Sequence, residues 1–373
     1  VTWGERHEES YGRTLELVAR AEAYLAQRER PQPNAASDLD AAATEALLLT
    51  LRGALSRDGR RVLHVDRGQR AIADRADVEQ VATAARATPD HMLRIGARSL
   101  VVSDSGAIGD AVAAYAEAYE AYFARHRHRL PDGLGMLSPL PRVALVPGLG
   151  CVAAGPNAAA ARVNAEIAAR SHLVTARTLD AFGAIDWLSE EEIFDFEYWP
   201  LELYKLQSAP LPRPLSGQIA IVRCGEVGLA QAVATRLAQD GAHLLLAGPD
   251  PDALRRIADT LPRATTRIAG GEPVATAIGE FGGVDLFVAL DVPRETDLDR
   301  LRTAVARQGV GGAIVGLERA DGATVDRDSR RANGMRVNLA RIADGADPGA
   351  VADVIAFLAS AAAIDGAVVP VGV

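Results

Sequence analysis

Lysine is almost absent from this chain: Lys205 is the only one among 373 residues, and no tyrosine follows it before Val373. A tyrosine that donates a proton has a free pKa of about 10 and needs a neighbouring ammonium to bring that value down. The last third of the sequence supplies neither group. Schiff-base lysine chemistry and a lysine-bearing phosphate loop are excluded too, because Lys205 stands in neither setting. Cysteine is nearly as scarce. Cys151 and Cys224 lie far apart in glycine-rich turns, which argues against a disulfide framework or a thiolate zinc site and suits a reducing, cytoplasmic location. No apolar run approaches the ~18 residues of a membrane span, and the start, Val1-Thr2-Trp3-Gly4-Glu5, lacks the basic-then-apolar layout of a secretion signal.

A net charge of -9 and a pI near 5.4 argue against nucleic acid and anionic membrane as partners, and leave small molecules or other proteins. With 49% hydrophobic and 24% charged residues, the composition is that of a globular chain of two or three domains.

Leu15, Val18, Ala21 and Leu25 recur at helical spacing between Glu8 and Arg28, and Pro31 and Pro33 end the pattern; a short strand end is expected before it. Strands are expected over 61–66, 100–102 and 142–146, and helices over 77–85, 110–125 and 158–179. Tyr115, Tyr119 and Tyr122 share one helix face, a core stripe by its spacing. Ser189 with Glu192 is a capping-box signature. Pro210, Pro212 and Pro214 cannot continue a helix and mark a stiff linker. Beyond it, strands expected over 218–222, 243–247, 284–288, 313–315 and 336–338 alternate with helices over 228–239, 297–307 and 348–359. That alternation predicts an α/β, Rossmann-like parallel sheet covered on both faces, and the 218–373 segment is expected to fold independently. The expected units are residues 1–34, 35–209, the 210–216 linker and 217–373.

Three stretches, Thr88-Pro89-Asp90-His91, Pro141-Arg142-Val143-Ala144-Leu145-Val146-Pro147-Gly148-Leu149-Gly150 and Phe194-Asp195-Phe196-Glu197-Tyr198-Trp199-Pro200-Leu201-Glu202, resemble the bifunctional proteins that fuse a class II sugar-phosphate aldolase of the rhamnulose-1-phosphate type to a short-chain dehydrogenase. The likeness runs nearly end to end. It implies that residues 1–34 are the trailing strand and helix of an aldolase lobe, 35–209 an aldolase-like α/β lobe, and 217–373 a degenerate dehydrogenase domain. In that family the zinc-bearing lobe comes first, and Val1-Thr2-Trp3-Gly4 resembles the sequence just after its last histidine ligand. A class II aldolase needs three imidazoles on zinc and an acid/base carboxylate, and no such set is expected here. Gly148-Leu149-Gly150-Cys151 with the helix after it suggests a second copy of the strand-turn-helix over 3–25. His126 and His128, at a helix end where i and i+2 diverge, are read as structural, and His91 as a capping or buried histidine.

The family's Thr-Gly-x-x-x-Gly-Ile-Gly fingerprint aligns with Arg223-Cys224-Gly225-Glu226-Val227-Gly228-Leu229-Ala230, where only Gly228 keeps its place. Those glycines let backbone approach a pyrophosphate; Cys224 and Ala230 replace two of them and Glu226 adds negative charge. Gly248 stands where an acid normally accepts ribose hydroxyls, with Asp250 two residues on. Ala289-Leu290-Asp291 replaces Asn-Ala-Gly, the expected catalytic serine falls near Glu318 or Arg319, and the short interval from Val315 to Arg336 leaves no room for the family's Tyr-x-x-x-Lys helix. The candidate cofactor-binding residues are thus Gly225, Gly228 and Asp250, in a degraded loop, with no catalytic residue and no metal ligand. The resemblance with these departures implies a non-catalytic relative or accessory subunit, with no cofactor expected and NAD(P) if any. Its expected partner is a separate aldolase-lobe chain or a second copy of itself. The alternative is an NAD(P)-dependent oxidoreductase of sugar catabolism with atypical active-site residues.

Overall fold

A computed structural model of the chain describes residues 1–30, 37–84, 86, 88–207, 210–320, 322–326 and 335–371. The side chains of residues 202 and 205–207 lie outside that description, Lys205 among them, as do Pro31, Pro33, Ala85 and Gly334. The architecture is mixed α/β, with two sheets and helices between and around them.

The smaller sheet holds β1 (Val62–Asp66), β2 (Leu100–Val101), β3 (Val143–Val146) and β4 (Gly150–Gly155) in the order β1-β4-β3-β2. β3 and β4 form an antiparallel hairpin across Pro147-Gly148-Leu149. This corrects the reading of Gly148-Leu149-Gly150 as a strand-to-helix turn, and with it the suggested internal repeat; residues 1–6 likewise form no strand. Gly150 (φ 124) sits so close to the Asp66 carbonyl that an added Cβ would collide with it, so the hairpin and β1 pack through a residue with no side chain. Helix Ala158–Phe182, N-capped by Asn157, covers one face of this sheet. Helix Ile108–His126 carries the tyrosine stripe; Tyr119 and Tyr122 pack into a cluster with Leu93, Phe194 and Tyr198, while Tyr115 packs against the large core. The capping box at Ser189 and Glu192 is present.

The larger sheet contains β5 (Ile219–Arg223), β6 (His243–Ala247), β7 (Thr266–Ile268), β8 (Leu286–Ala289), β9 (Gly312–Arg319), β10 (Gly322–Ala323), β11 (Met335–Ile342) and β12 (Val368–Val371). The order is β12-β11-β9-β8-β5-β6-β7, all parallel, with β10 turned back antiparallel on β9. This is the doubly wound order of dinucleotide-binding folds. Helices Val227–Gln239 and Pro348–Ser360 cover one face, and Pro273–Phe281 and Glu295–Gln308 lie on the other.

The two sheets do not hang on a free linker. Helix Ala41–Leu55, capped by Asp40, was not expected from the sequence, because Leu47, Leu48, Leu49 and Leu51 make it apolar on every side with no stripe to mark it. It lies between the units. Its leucines share one core with Phe281, Leu301 and Val305 of the dehydrogenase-like side and with Val146 and Val152 of the small sheet. Gly53 packs directly on the Gln308 carbonyl, where any side chain would collide. The proline-rich segment is anchored as well, since Leu215 is fully buried in the core of the larger sheet and Gly217 packs on the Arg60 carbonyl.

At the centre of this interface Arg52 and Asp285, both buried, form a bidentate pair at 3.0 and 2.6 Å. Arg52 also donates to the carbonyls of Arg61 and Gly217 and to Gln308 Oε1, while Asp285 accepts from the Ile219 amide at 2.9 Å. Removing one partner strands a buried charge, so Asp285→Ala is expected to lower the unfolding free energy by about 3–5 kcal/mol. Both units are expected to unfold in a single urea transition that the variant shifts as a whole.

His243, on β6, spans the same interface: its Nε2 accepts from the Ala158 amide at 3.0 Å, so the ring is neutral. Burial holds its pKa down at about 4 and that of His172 at about 3. Between those values and the ordinary 6.5 the unfolded chain binds protons that the folded chain does not, so both residues add stability that is lost as pH falls below about 6.5. Glu197 acts oppositely. Burial raises its carboxyl to about 7 despite Arg142 and the Tyr122 and Tyr119 hydroxyls pulling the other way, and the folded chain keeps a proton that the unfolded chain releases above 4.5. Its contribution therefore declines as pH rises from about 4.5 through 7. Glu197→Gln is expected to raise the melting temperature at pH 8 and leave it nearly unchanged at pH 4.5, a comparison that calorimetry at the two pH values makes directly.

Candidate dinucleotide crevice

In a parallel sheet of this order the chain reverses direction between β5 and β8, and ligands bind outside the carboxyl ends of those strands. β5 ends at Arg223, and Cys224-Gly225-Glu226 leads into helix Val227–Gln239. Cys224 is buried and its amide donates to Ala247 at 2.7 Å. Burial pushes its thiol up to about 12, so at neutral pH it is no thiolate nucleophile. A Cβ at Gly225 would lie 3.0 Å from the Leu290 carbonyl oxygen and 3.3 Å from Asp291 Cβ. This glycine is needed to pack the exit of β5 against the exit of β8. At Gly228 the nearest atom to an added Cβ is Glu226 Oε1 at 4.0 Å, so no close backbone contact depends on it.

Asp250 stands at the end of the neighbouring strand β6. Its carboxylate accepts from the amides of Asp252 and Ala253 at 2.9 and 3.1 Å, capping helix Pro251–Asp259, and those bonds lower its pKa. Gly225 and Gly228 thus share the β5 turn, while Asp250 serves the next helix.

The charges at the mouth of the crevice do not fit a pyrophosphate. A helix N-terminus attracts anions, but the N-cap of this one is Glu226, whose side chain makes no capping bond and is exposed. Asp291 adds a second, half-buried carboxylate, 3.8 Å from Arg223 Nη2. Two carboxylates against one guanidinium oppose a dianion where the fold would place it.

The reactive end is altered too. Among the described residues no helix lies between β9 and β11. The chain after Arg319 instead turns back as β10, and Thr324 Oγ1 donates to the carbonyl of Ala289, the last residue of β8, and accepts from the Leu317 amide. Val325 packs against Gly316 in the core. Glu318, one of the two positions expected for the serine, pairs with Arg341 at 2.8 Å. Of the histidines, His126 is buried against Glu190 at 2.7 Å, His128 is exposed, and His91 lies beside Ser171. The Arg94 and Arg142 side chains, in a cleft of the smaller unit, carried no sequence signal that set them apart from the other arginines.

Residues 42–206 match the family model "Aldolase class II, second domain". Over 362 residues the chain is 27% identical to the uncharacterized oxidoreductase YuxG of Bacillus subtilis (strain 168), covering 91% of this chain and 50% of that protein. The two likenesses together are to proteins that join an aldolase-type domain to an oxidoreductase-like one. The chain spans about half the length of its YuxG relative. A 137-residue stretch, 27% of the chain, is 29% identical to dehydrogenase/reductase SDR family member 4 of Bos taurus, covering 49% of that protein. A solved short chain dehydrogenase from Mycobacterium smegmatis aligns with a TM-score of 0.34 at 23% identity, over 45% of this chain and 98% of its own. The family-model match covers the smaller unit and the helices around it, and the YuxG likeness extends over the rest of the chain; no described helix is long and apolar enough to cross a membrane.

Proposed function

We propose that this chain is a non-catalytic relative of the aldolase/short-chain dehydrogenase fusion proteins, acting as a structural or accessory subunit. The observation that carries the reading is the passage from β9 to β11, a segment with no tyrosine or lysine, in which the described residues 322–325 form a hairpin arm bonded to the end of β8. The opposed carboxylates of Glu226 and Asp291 support it. A proton relay needs a titratable donor near the reacting carbonyl, and neither Thr324 nor the Glu318–Arg341 pair is one.

The accessory role is supported by the N-terminal helix His7–Ala26, none of whose residues is buried. It leaves Tyr11, Leu15, Val18 and Tyr24 exposed, near exposed Phe182 on helix Ala158–Phe182. Such a surface suits another chain, either an aldolase lobe or a second copy. The retained strand order favours the second reading, an NAD(P)-dependent oxidoreductase of sugar catabolism with atypical residues.

Thermal melting with millimolar NAD+, NADH, NADP+ and NADPH separates the two. A ligand at a hundred times its dissociation constant adds about 2.7 kcal/mol, so the non-catalytic reading expects no saturable shift with any of the four. A rise of several degrees with one of them would favour the oxidoreductase. Deleting residues 1–30 is expected to lower solubility or reduce the mass seen by light scattering, and an unchanged mass and melting temperature would remove the support this helix lends to a partner.

A further inference from the structure

A cleft of about 500 Å³ opens in the smaller unit between the start of helix Ala158–Phe182 and helix Pro89–Ile95, well within the size range of small-molecule sites. Arg61, Arg94 and Arg142 line it, with Asp90, Ser138 and Asn164. Arg61 is offset by Asp58 at 2.7 Å. Among the described residues Arg94 has no salt bridge or side-chain hydrogen bond, and its side chain is exposed. Arg142 is held by the carbonyls of Leu93 and Arg94 through Nη1 alone, which orients the guanidinium without neutralising it and leaves its Nε and Nη2 donors without a protein partner.

Neither Arg94 nor Arg142 forms a salt bridge with a carboxylate among the described residues; Asp90 in the lining and the buried Glu197, on which Arg142 acts, offset part of the charge, and with Arg61 the cleft keeps more guanidiniums than carboxylates in a chain of net charge -9. The N-terminus of the 25-residue helix faces the same cleft through Ala160, and its dipole adds to that charge. Asn164 is buried, its Nδ2 donating to the Ala154 carbonyl at 2.9 Å, which fixes the amide and leaves Oδ1 as its acceptor. With the Ser138 hydroxyl it can meet a ligand hydroxyl. We propose that this cleft binds a small hydroxylated anion, one whose phosphate monoester or carboxylate group sits on Arg94 and Arg142 while its hydroxyls meet Asn164 and Ser138. The site lies apart from the dinucleotide crevice and does not depend on how that crevice is read.

Calorimetric titration of the full chain with glycerol 3-phosphate and with malate, at matched ionic strength in chloride, tests the assignment. Saturable one-site binding of at least one of them is expected, and the tighter of the two tells a phosphate ester from a carboxylate. Arg94→Gln is expected to weaken that binding at least about tenfold, the scale of a charge-assisted hydrogen bond, with an unchanged melting temperature because the side chain is exposed and without a protein partner. Arg142→Gln should weaken it as well. No saturable binding of either anion, or the same affinity in the Arg94→Gln chain, would overturn the proposal.

Discussion

Much of this structure depends on one buried ion pair, Arg52 with Asp285. Apolar contact between the two units is extensive but non-directional, and leucines sliding over one another would permit several dockings. A planar guanidinium held bidentately by a carboxylate permits one. The cost of burying the charges is offset by their remaining partners, the carbonyls of Arg61 and Gly217, the side chain of Gln308, the amide of Ile219 and the nearby Arg60 guanidinium. Gly53 and Gly283 let Gln308 and Arg52 approach closely enough for this to happen. The helix that opens the aldolase-type domain thereby becomes part of the layer covering the dehydrogenase-like sheet.

That arrangement accounts for a fold that persists beside an altered crevice. The parallel sheet draws its cohesion from two apolar layers, Ile221, Phe287 and Ile314 on one face and Val222, Val288 and Val315 on the other, and none of these contacts requires a tyrosine, a lysine or a phosphate-binding glycine. The scaffold and its chemistry are separable. At the β5 turn the separation can be seen residue by residue. Gly225 remains where it serves packing against Leu290, while Glu226 stands where a phosphate would call for a neutral residue.

Elements with a strong period or a strong cap were legible in advance. The alternation of strands and helices beyond residue 218, the tyrosine stripe and the Ser189 capping box all correspond to local patterns whose physics is complete within a few residues. Helix Ala41–Leu55 was not legible because its run of Leu47, Leu48, Leu49 and Leu51 spreads apolar residues around the helix and blurs the period that a single stripe would set. The β3–β4 hairpin was misread because Gly148 and Gly150 serve tight turns of more than one kind, and only the pairing of Leu145 with Cys151 distinguishes a hairpin from a turn into a helix.

The sequence by itself determined the class of fold, the family likeness and the absence of a tyrosine–lysine pair in the last third, since each follows from residue identity and spacing along the chain. Tertiary structure alone decided which residues meet. Arg52 and Asp285 are 233 positions apart, Ala158 and His243 are 85 apart, and Thr324 lies 35 positions from the carbonyl it bonds. A single arginine or aspartate looks the same in a sequence whether water or a buried partner will solvate it, and that difference arises only when folding removes the water.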